Sequence, residues 1–256
     1  MARIEVFDLT WSRFRSDSLV SRIAQTPGVW EFPADAAALF ETYRRLYIAT
    51  SGSVSPLVGG ALDALGYDRT YSLRATGEPG SVPNWDEAIS WDGRSLTTIN
   101  AVSIDVGAAG KGYLVDIICE LLVADGHSHA IVDGSGDIRQ FGPDPIRVAL
   151  EHPLDPTKAI GIAIVGNQSI CASASNRRAW GDGLHHVVDA ITGLPTRNVI
   201  ATWAIAATAL EADGLATALF FTAPDRLAQE FDFTFVRMLS DGLVEFSPHL
   251  NGEIFT

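Results

Sequence analysis

The chain predicts an α+β fold, with mixed, mainly antiparallel sheets and packed helices. Three observations carry that expectation. Strand-like alternation recurs between residues 129 and 174, separated by turn residues rather than by helices. Two clear helical patterns, over 111–124 and from Thr208 onward, stand outside that run. The regular βαβ succession of a doubly wound parallel sheet is scarce. At 256 residues, the chain is long enough to bury a sizeable core as one large domain or two small ones.

In order, residues Ala2 to Phe14 read as a helix carrying Ile4, Phe7, Leu9, Trp11 and Phe14 with no preceding cap or strand, as though the chain began inside a domain. Asp17-Ser18 opens a second short helix, and Pro33-Ala34-Asp35 starts a third that runs through Leu39, Tyr43 and Leu46. Residues 50–60 form a loop of small side chains, and 76–95 read as turns around a strand-like Ala88 to Trp91. Thr98 to Asp105 alternates as a strand, and Lys111 to Ala124 places Leu114, Ile117, Ile118, Leu121 and Leu122 on one helical face. Strands follow at His129–Asp133, Ile138–Phe141, Ile146–Glu151, Ile160–Val165 and Ser169–Ala174. Ile200 to Ala206 is a further strand; Thr208-Ala-Leu-Glu211 is a capping box that launches a helix to Phe221. A hairpin around Ser240-Asp241-Gly242 closes the chain.

Bulk properties exclude several functions. A formal net charge of −13 repels a phosphate backbone, and the arginine pairs are too short to make a basic track, so no nucleic-acid partner is expected. The two cysteines, Cys119 and Cys171, are not in a Cys-x-x-Cys pair, which argues against a disulfide framework or structural zinc. No apolar run reaches the ~18 residues of a membrane span, and no signal-like N-terminus is visible, so the chain as written is expected in the cytoplasm.

Chemistry concentrates in four places. Asp105-Val-Gly-Ala-Ala-Gly-Lys-Gly-Tyr113 runs from a strand pattern into a helix start, where free N–H groups, glycines and the Lys111 ammonium suit an anion. The same residues are equally compatible with a glycine-softened turn, a solvated lysine and Asp105 as helix N-cap. The spacing is neither that of a P-loop nor that of a dinucleotide-binding fingerprint. Asp213 and Thr217 lie one helical turn apart among Ala209, Ala212 and Ala216, a hard-oxygen pair that suits Mg²⁺ or, alternatively, one buried hydrogen bond. His185-His186 in an extended run point to opposite faces, so one can be functional and the other structural. Asp133-Gly-Ser-Gly-Asp137 reads as a tight turn.

Together these segments resemble one family. Asp105 to Asp116, Val132-Asp-Gly-Ser-Gly-Asp-Ile-Arg139, His186-Val-Val-Asp189 with Thr192-Gly193 and Pro195, and Glu211 to Leu219 are similar, in order, to the signature motifs of the ApbE-like FAD:protein FMN transferases. Trp11 to Ser18 and Gly52 to Pro56 extend the resemblance over most of the chain. It implies a single ApbE-like flavin transferase domain over 1–256, without the strand bearing a Met-Gly-Thr-like segment with which the family usually begins. It also implies Mg²⁺-dependent transfer of FMN from FAD to a Thr or Ser hydroxyl of an acceptor flavoprotein, releasing AMP. The matching positions make Asp213 and Thr217, with Ala108 and Ala216, the metal ligands. Asp105, Lys111, Phe14, Ser53, Val54, Ser55 and Val187 become FAD contacts, and His186 the catalytic histidine. Ser53-Val54-Ser55 departs from the family's Ala-Phe-Asp-like triplet, and Ser173-Ala174-Ser175 from its Thr-Ser-Gly. An FAD pyrophosphatase and a non-catalytic FAD-binding protein are the alternatives. The family is often exported or membrane-anchored.

Overall fold

The computed structural model describes residues 2–77 and 79–255. They form two compact units interleaved along the chain: one runs through Ala108 and resumes at Arg178–Thr196, and the other takes Ala109–Arg177 and the residues from Arg197 on.

The second unit is built on a six-stranded sheet ordered Val244–Phe246, Phe233–Leu239, Val199–Ala206, Ser169–Ala174, Asp137–Phe141 and Ala130–Asp133, every neighbouring pair antiparallel. A three-stranded antiparallel sheet, Gly252–Ile254, Ala159–Val165 and Ile146–Glu151, packs against it through Leu150, Val165, Ile170, Trp203 and Val236. The central strand Val199–Ala206 is buried along nearly its whole length because both its faces are covered. Trp203 and Ile205 face the apolar core between the sheets. Thr202 alternates onto the other face, where its hydroxyl donates to the Ala216 carbonyl at 2.6 Å, so the helix Ala209–Ala218 lies over that face. A second helix, Gly110–Ala124, packs beside it.

The first unit holds the helices Ala2–Trp11, Leu19–Ile23, Ala36–Ala49, Gly59–Ala64 and Trp85–Ala88 around a small antiparallel sheet, ordered Gly28–Glu31, Ser95–Thr98 and Ile89–Trp91. Its core is aromatic: Phe40 stacks on Trp91 at 4.3 Å between ring centroids, and Trp11 and Phe32 close around them. Short hairpins pair Ala179–Trp180 with Leu184–His185, and Val188–Asp189 with Leu194–Pro195.

The α+β class, the antiparallel strands from Ala130 to Ala174 and both long helices of the second unit agree with the sequence expectation. Ser18 and Thr208 cap their helices, accepting from the Ser21 and Glu211 N–H groups. Three expectations need correction. The strand of Thr98 to Asp105 ends at Thr98; beyond it Val102 and Ile104 are buried alternately, with no ladder partner, so the alternation reflects burial of an extended loop. The first helix stops at Trp11, leaving Phe14 in the turn that follows. The helix begun at Thr208 ends at Ala218 rather than Phe221, with turns over 219–221.

Candidate functional site

In the first unit, Arg13 organises one group of expected residues. Its guanidinium is buried and reaches three acceptors: Nε donates to Asp105 Oδ2 at 2.5 Å, Nη1 to Asp63 Oδ1 at 2.7 Å and Nη2 to the Tyr67 carbonyl at 2.6 Å. The same group lies 4.4 Å from the centroid of the Phe14 ring, on which Tyr71 stacks nearly parallel. The other Asp105 oxygen accepts the Gly107 N–H at 2.7 Å. Asp105 is therefore no helix N-cap. The helix begins at Gly110, and Asp105 instead shapes the loop ahead of it while fixing Arg13.

The second group is the histidine hairpin. His185 is structural, because one ring nitrogen lies 2.7 Å from the Thr196 carbonyl and the other receives the Val187 N–H at 3.2 Å. His186, in the link between two strands, has a buried Nδ1 with no hydrogen-bond partner. Burial, followed by the positive fields of Arg178 and His185, pushes its pKa down to about 4. The ring is therefore neutral at neutral pH and keeps a nitrogen lone pair available. Asp105 is near enough for its charge to oppose that shift. Val187 is buried, and its carbonyl accepts the Thr196 N–H. The Ser53 carbonyl accepts the Ala190 N–H at 3.0 Å, tying the buried Ser53-Val54-Ser55 triplet to this hairpin. Ser55 has a local task as well, since its hydroxyl caps the turn Pro56–Val58.

The second unit gathers acids around one lysine. Asp213 is buried, and its Oδ2 accepts the Gly112 N–H at 2.9 Å across the two packed helices. Gly112 allows that approach: a Cβ there would sit 2.0 Å from the Ala209 carbonyl oxygen and 2.7 Å from Asp213 Cβ. The last glycine of Gly110-Lys111-Gly112 thus serves helix packing rather than a phosphate. Thr217 stands one turn after Asp213, partly exposed, and the Ala216 carbonyl already accepts the Thr202 hydroxyl with one lone-pair direction to spare. Ala108 closes the first unit just before this segment.

Sequence reasoning missed two residues here. Asp137, read as part of a tight turn within the Val132–Arg139 motif and given no role of its own, is fully buried, and Lys111 Nζ lies 2.9 Å from its Oδ2. Burial raises the pKa of Asp137; burial and then the neighbouring Asp137 charge raise that of Asp213. Asp116 accepts the N–H groups of Ala209 and Leu210 at 3.0 and 2.8 Å and pairs with Arg139, anchoring the start of the Asp213 helix. Its position inside an apolar helical run was the available signal, because a carboxylate there must be paired.

A divalent ion fits this half. The buried Asp213 carboxylate, which disfavours its charged form, the Thr217 hydroxyl one turn on and the Ala216 carbonyl make a hard-oxygen donor set, the kind Mg²⁺ prefers. Among the described residues no three His, Cys, Asp or Glu side chains converge as a metal cage, so the protein would supply few charged ligands.

Comparison with known proteins follows the same lines. The profile of the ApbE family matches residues 1–233. The FAD:protein FMN transferase of Escherichia coli is 25% identical over 251 residues, covering 88% of this chain and 70% of that protein. The enzyme of the same name from Haemophilus influenzae is 26% identical, over 84% of this chain and 69% of its own length. Among solved structures, the ApbE protein of Thermotoga maritima superposes with a TM-score of 0.84 at 22% identity, covering 96% of this chain and 88% of that one. The flavin transferase ApbE of Vibrio cholerae gives 0.78 at 23% identity, with 95% and 85% covered.

Proposed function

The chain belongs to the ApbE family, and from that premise we propose that it transfers FMN from FAD to a Thr or Ser hydroxyl of an acceptor flavoprotein, with Mg²⁺ required and AMP released. The observation that carries the proposal is the buried Asp213 carboxylate with Thr217 one turn away, beside Lys111. Hard oxygens on one helix face next to a lysine-bearing helix start support a metal-and-phosphate reading.

In this mechanism the acceptor hydroxyl oxygen attacks the phosphorus on the riboflavin side of the FAD pyrophosphate. The new phosphoester bond forms as the bond to the bridging oxygen breaks, and AMP leaves with the electron pair. His186 takes the hydroxyl proton, and its neutral ring is in the correct protonation state for that step. Lys111 supplies a point charge to the pyrophosphate. Asp213 and Thr217, with the carbonyls of Ala108 and Ala216, would hold the Mg²⁺, which supplies stabilisation of charge on the phosphoryl oxygens and the leaving group. Phe14, Ser53, Val54, Ser55, Val187 and Asp105 are assigned to FAD. Asp105 also shapes the loop ahead of the helix and fixes Arg13, and each of its oxygens, accepting one hydrogen bond, keeps a second lone-pair direction.

A hydrolase giving FMN and AMP differs only in the acceptor, water in place of a protein hydroxyl. Incubation of the protein with FAD, Mg²⁺ and a flavoprotein carrying a Thr acceptor separates the two by product. FMN bound to the acceptor with equimolar AMP supports transfer, and free FMN with an unmodified acceptor refutes it. Binding of FAD with neither product would leave a binding protein. Replacement of His186 by Ala is expected to abolish acceptor labelling; labelling at the wild-type rate would remove the base assignment.

A further inference from the structure

Lys111 occupies a place that helix electrostatics disfavour. It is the second residue of the helix Gly110–Ala124, where the helix dipole repels a cation, and its side chain is 42% exposed on a flexible stem. Left to itself such a side chain would sample many rotamers in water. Here the ammonium is drawn down onto Asp137, 2.9 Å away, and donates to the Ser135 carbonyl at 3.2 Å. Two of its three N–H directions are thereby taken, and the third remains for an anion.

Asp137 is an unusual anchor. Its side chain is fully buried at the start of its strand, opposite Cys171, and the Cys171 thiol and the Ala172 N–H lie close enough to favour its charge beside the lysine. The Lys111 ammonium is the counter-charge within ion-pair distance among the described residues. A fully buried carboxylate is costly to keep unless a counter-charge is paired with it, and Lys111 is that counter-charge. The turn that presents it is shaped to approach the lysine: a Cβ on Gly134 would lie 2.8 Å from Val115 and 3.8 Å from Lys111 Cγ, so this turn rests directly on the lysine's helix.

We propose that Asp137 is the positioning residue for Lys111: it holds the ammonium in one place, so that the remaining N–H meets the phosphate chain of FAD. The proposal rests on the FAD reading given above and adds a residue to it. Asp137 does not itself touch FAD; it acts through Lys111. A carboxylate with a purely structural role would affect folding, and its loss would weaken FAD binding to the same extent whether or not Lys111 is present.

A double-mutant cycle on FAD affinity tests this, read by flavin fluorescence without any acceptor, with folding checked by thermal unfolding. Lys111→Met is expected to weaken FAD binding about tenfold or more, the usual scale for a charge-assisted hydrogen bond. Asp137→Asn alone is expected to weaken it roughly fivefold, because the lysine keeps its charge and loses its placement. In the Lys111→Met background, Asp137→Asn should cost less than about twofold, since it has nothing left to position. Losses that multiply across the cycle overturn the proposal while leaving the FAD reading intact; a wild-type chain that binds no FAD overturns both. Should Asp137→Asn not fold, Lys111→Arg carries the test. It retains the charge but not the point geometry, so affinity is expected to fall severalfold, and an unchanged affinity shows that placement is irrelevant.

Discussion

Replacing Gly112 by Ala sets two physical effects against each other. Gly112 lies inside the helix Gly110–Ala124, where helix propensity alone favours alanine by about 1 kcal/mol. The structure demands the opposite sign. The added Cβ would stand 2.0 Å from the Ala209 carbonyl oxygen, and both atoms belong to backbones held by helices, so neither can swing aside. Separation to an ordinary contact near ~3.4 Å requires the helices to part by more than about 1 Å, which overpacks the interface at a cost of roughly 3 kcal/mol or more. The same movement lengthens the 2.9 Å bond from the Gly112 N–H to Asp213. The net loss is about 2 kcal/mol, equivalent to a fall in Tm of roughly 4–8 °C for a chain of this size. Thermal unfolding followed by circular dichroism reads it directly. A Tm equal to or above wild type would refute the claim that the two helices meet at Gly112.

Other outcomes follow from single residues. His186 titrates near 4 in the folded chain and at its ordinary value near 6.5 when unfolded, so the unfolded state binds more protons between those values. Its contribution is therefore full above ~6.5 and lost as pH falls towards ~4, by roughly 3 kcal/mol. Measured over that range, the stability of His186→Gln should fall less steeply than that of wild type; parallel curves would contradict the burial argument. Replacing Asp116 by Ala strands the Ala209 and Leu210 N–H groups and Arg139, and should destabilise by about 2–4 kcal/mol, with Asp116→Asn partly restoring the loss. Equal stability of all three proteins in urea titration would remove the anchoring role.

The legible and illegible parts of this chain differ for physical reasons. The strand run from Ala130 to Ala174 and the Thr208-capped helix are set by local chemistry, period-two burial and a hydroxyl at an N-cap, and both stood in the sequence. The segment after Thr98 misled because alternation records burial, and an extended loop that buries Val102 and Ile104 alternates like a strand. The site divides in the same way. Asp213, Thr217, Lys111 and His186 were visible as residue types in motifs. The roles of Arg13, Asp116 and Asp137 depend on partners 92, 93 and 26 positions away, since Asp105, Ala209 and Lys111 become neighbours only through the fold. Gly112 was read as part of a phosphate cradle, and only the helix crossing shows that its missing side chain makes room for Ala209.

Transfer itself is tested most directly by the intact mass of an acceptor flavoprotein after incubation with this protein and FAD, with and without Mg²⁺, alongside the Asp213→Ala variant. The expected result is an acceptor heavier by one FMN group through a phosphoester bond, formed only by the wild-type chain and only with Mg²⁺. An unmodified acceptor under those conditions, or an adduct formed equally well by Asp213→Ala, would contradict the account.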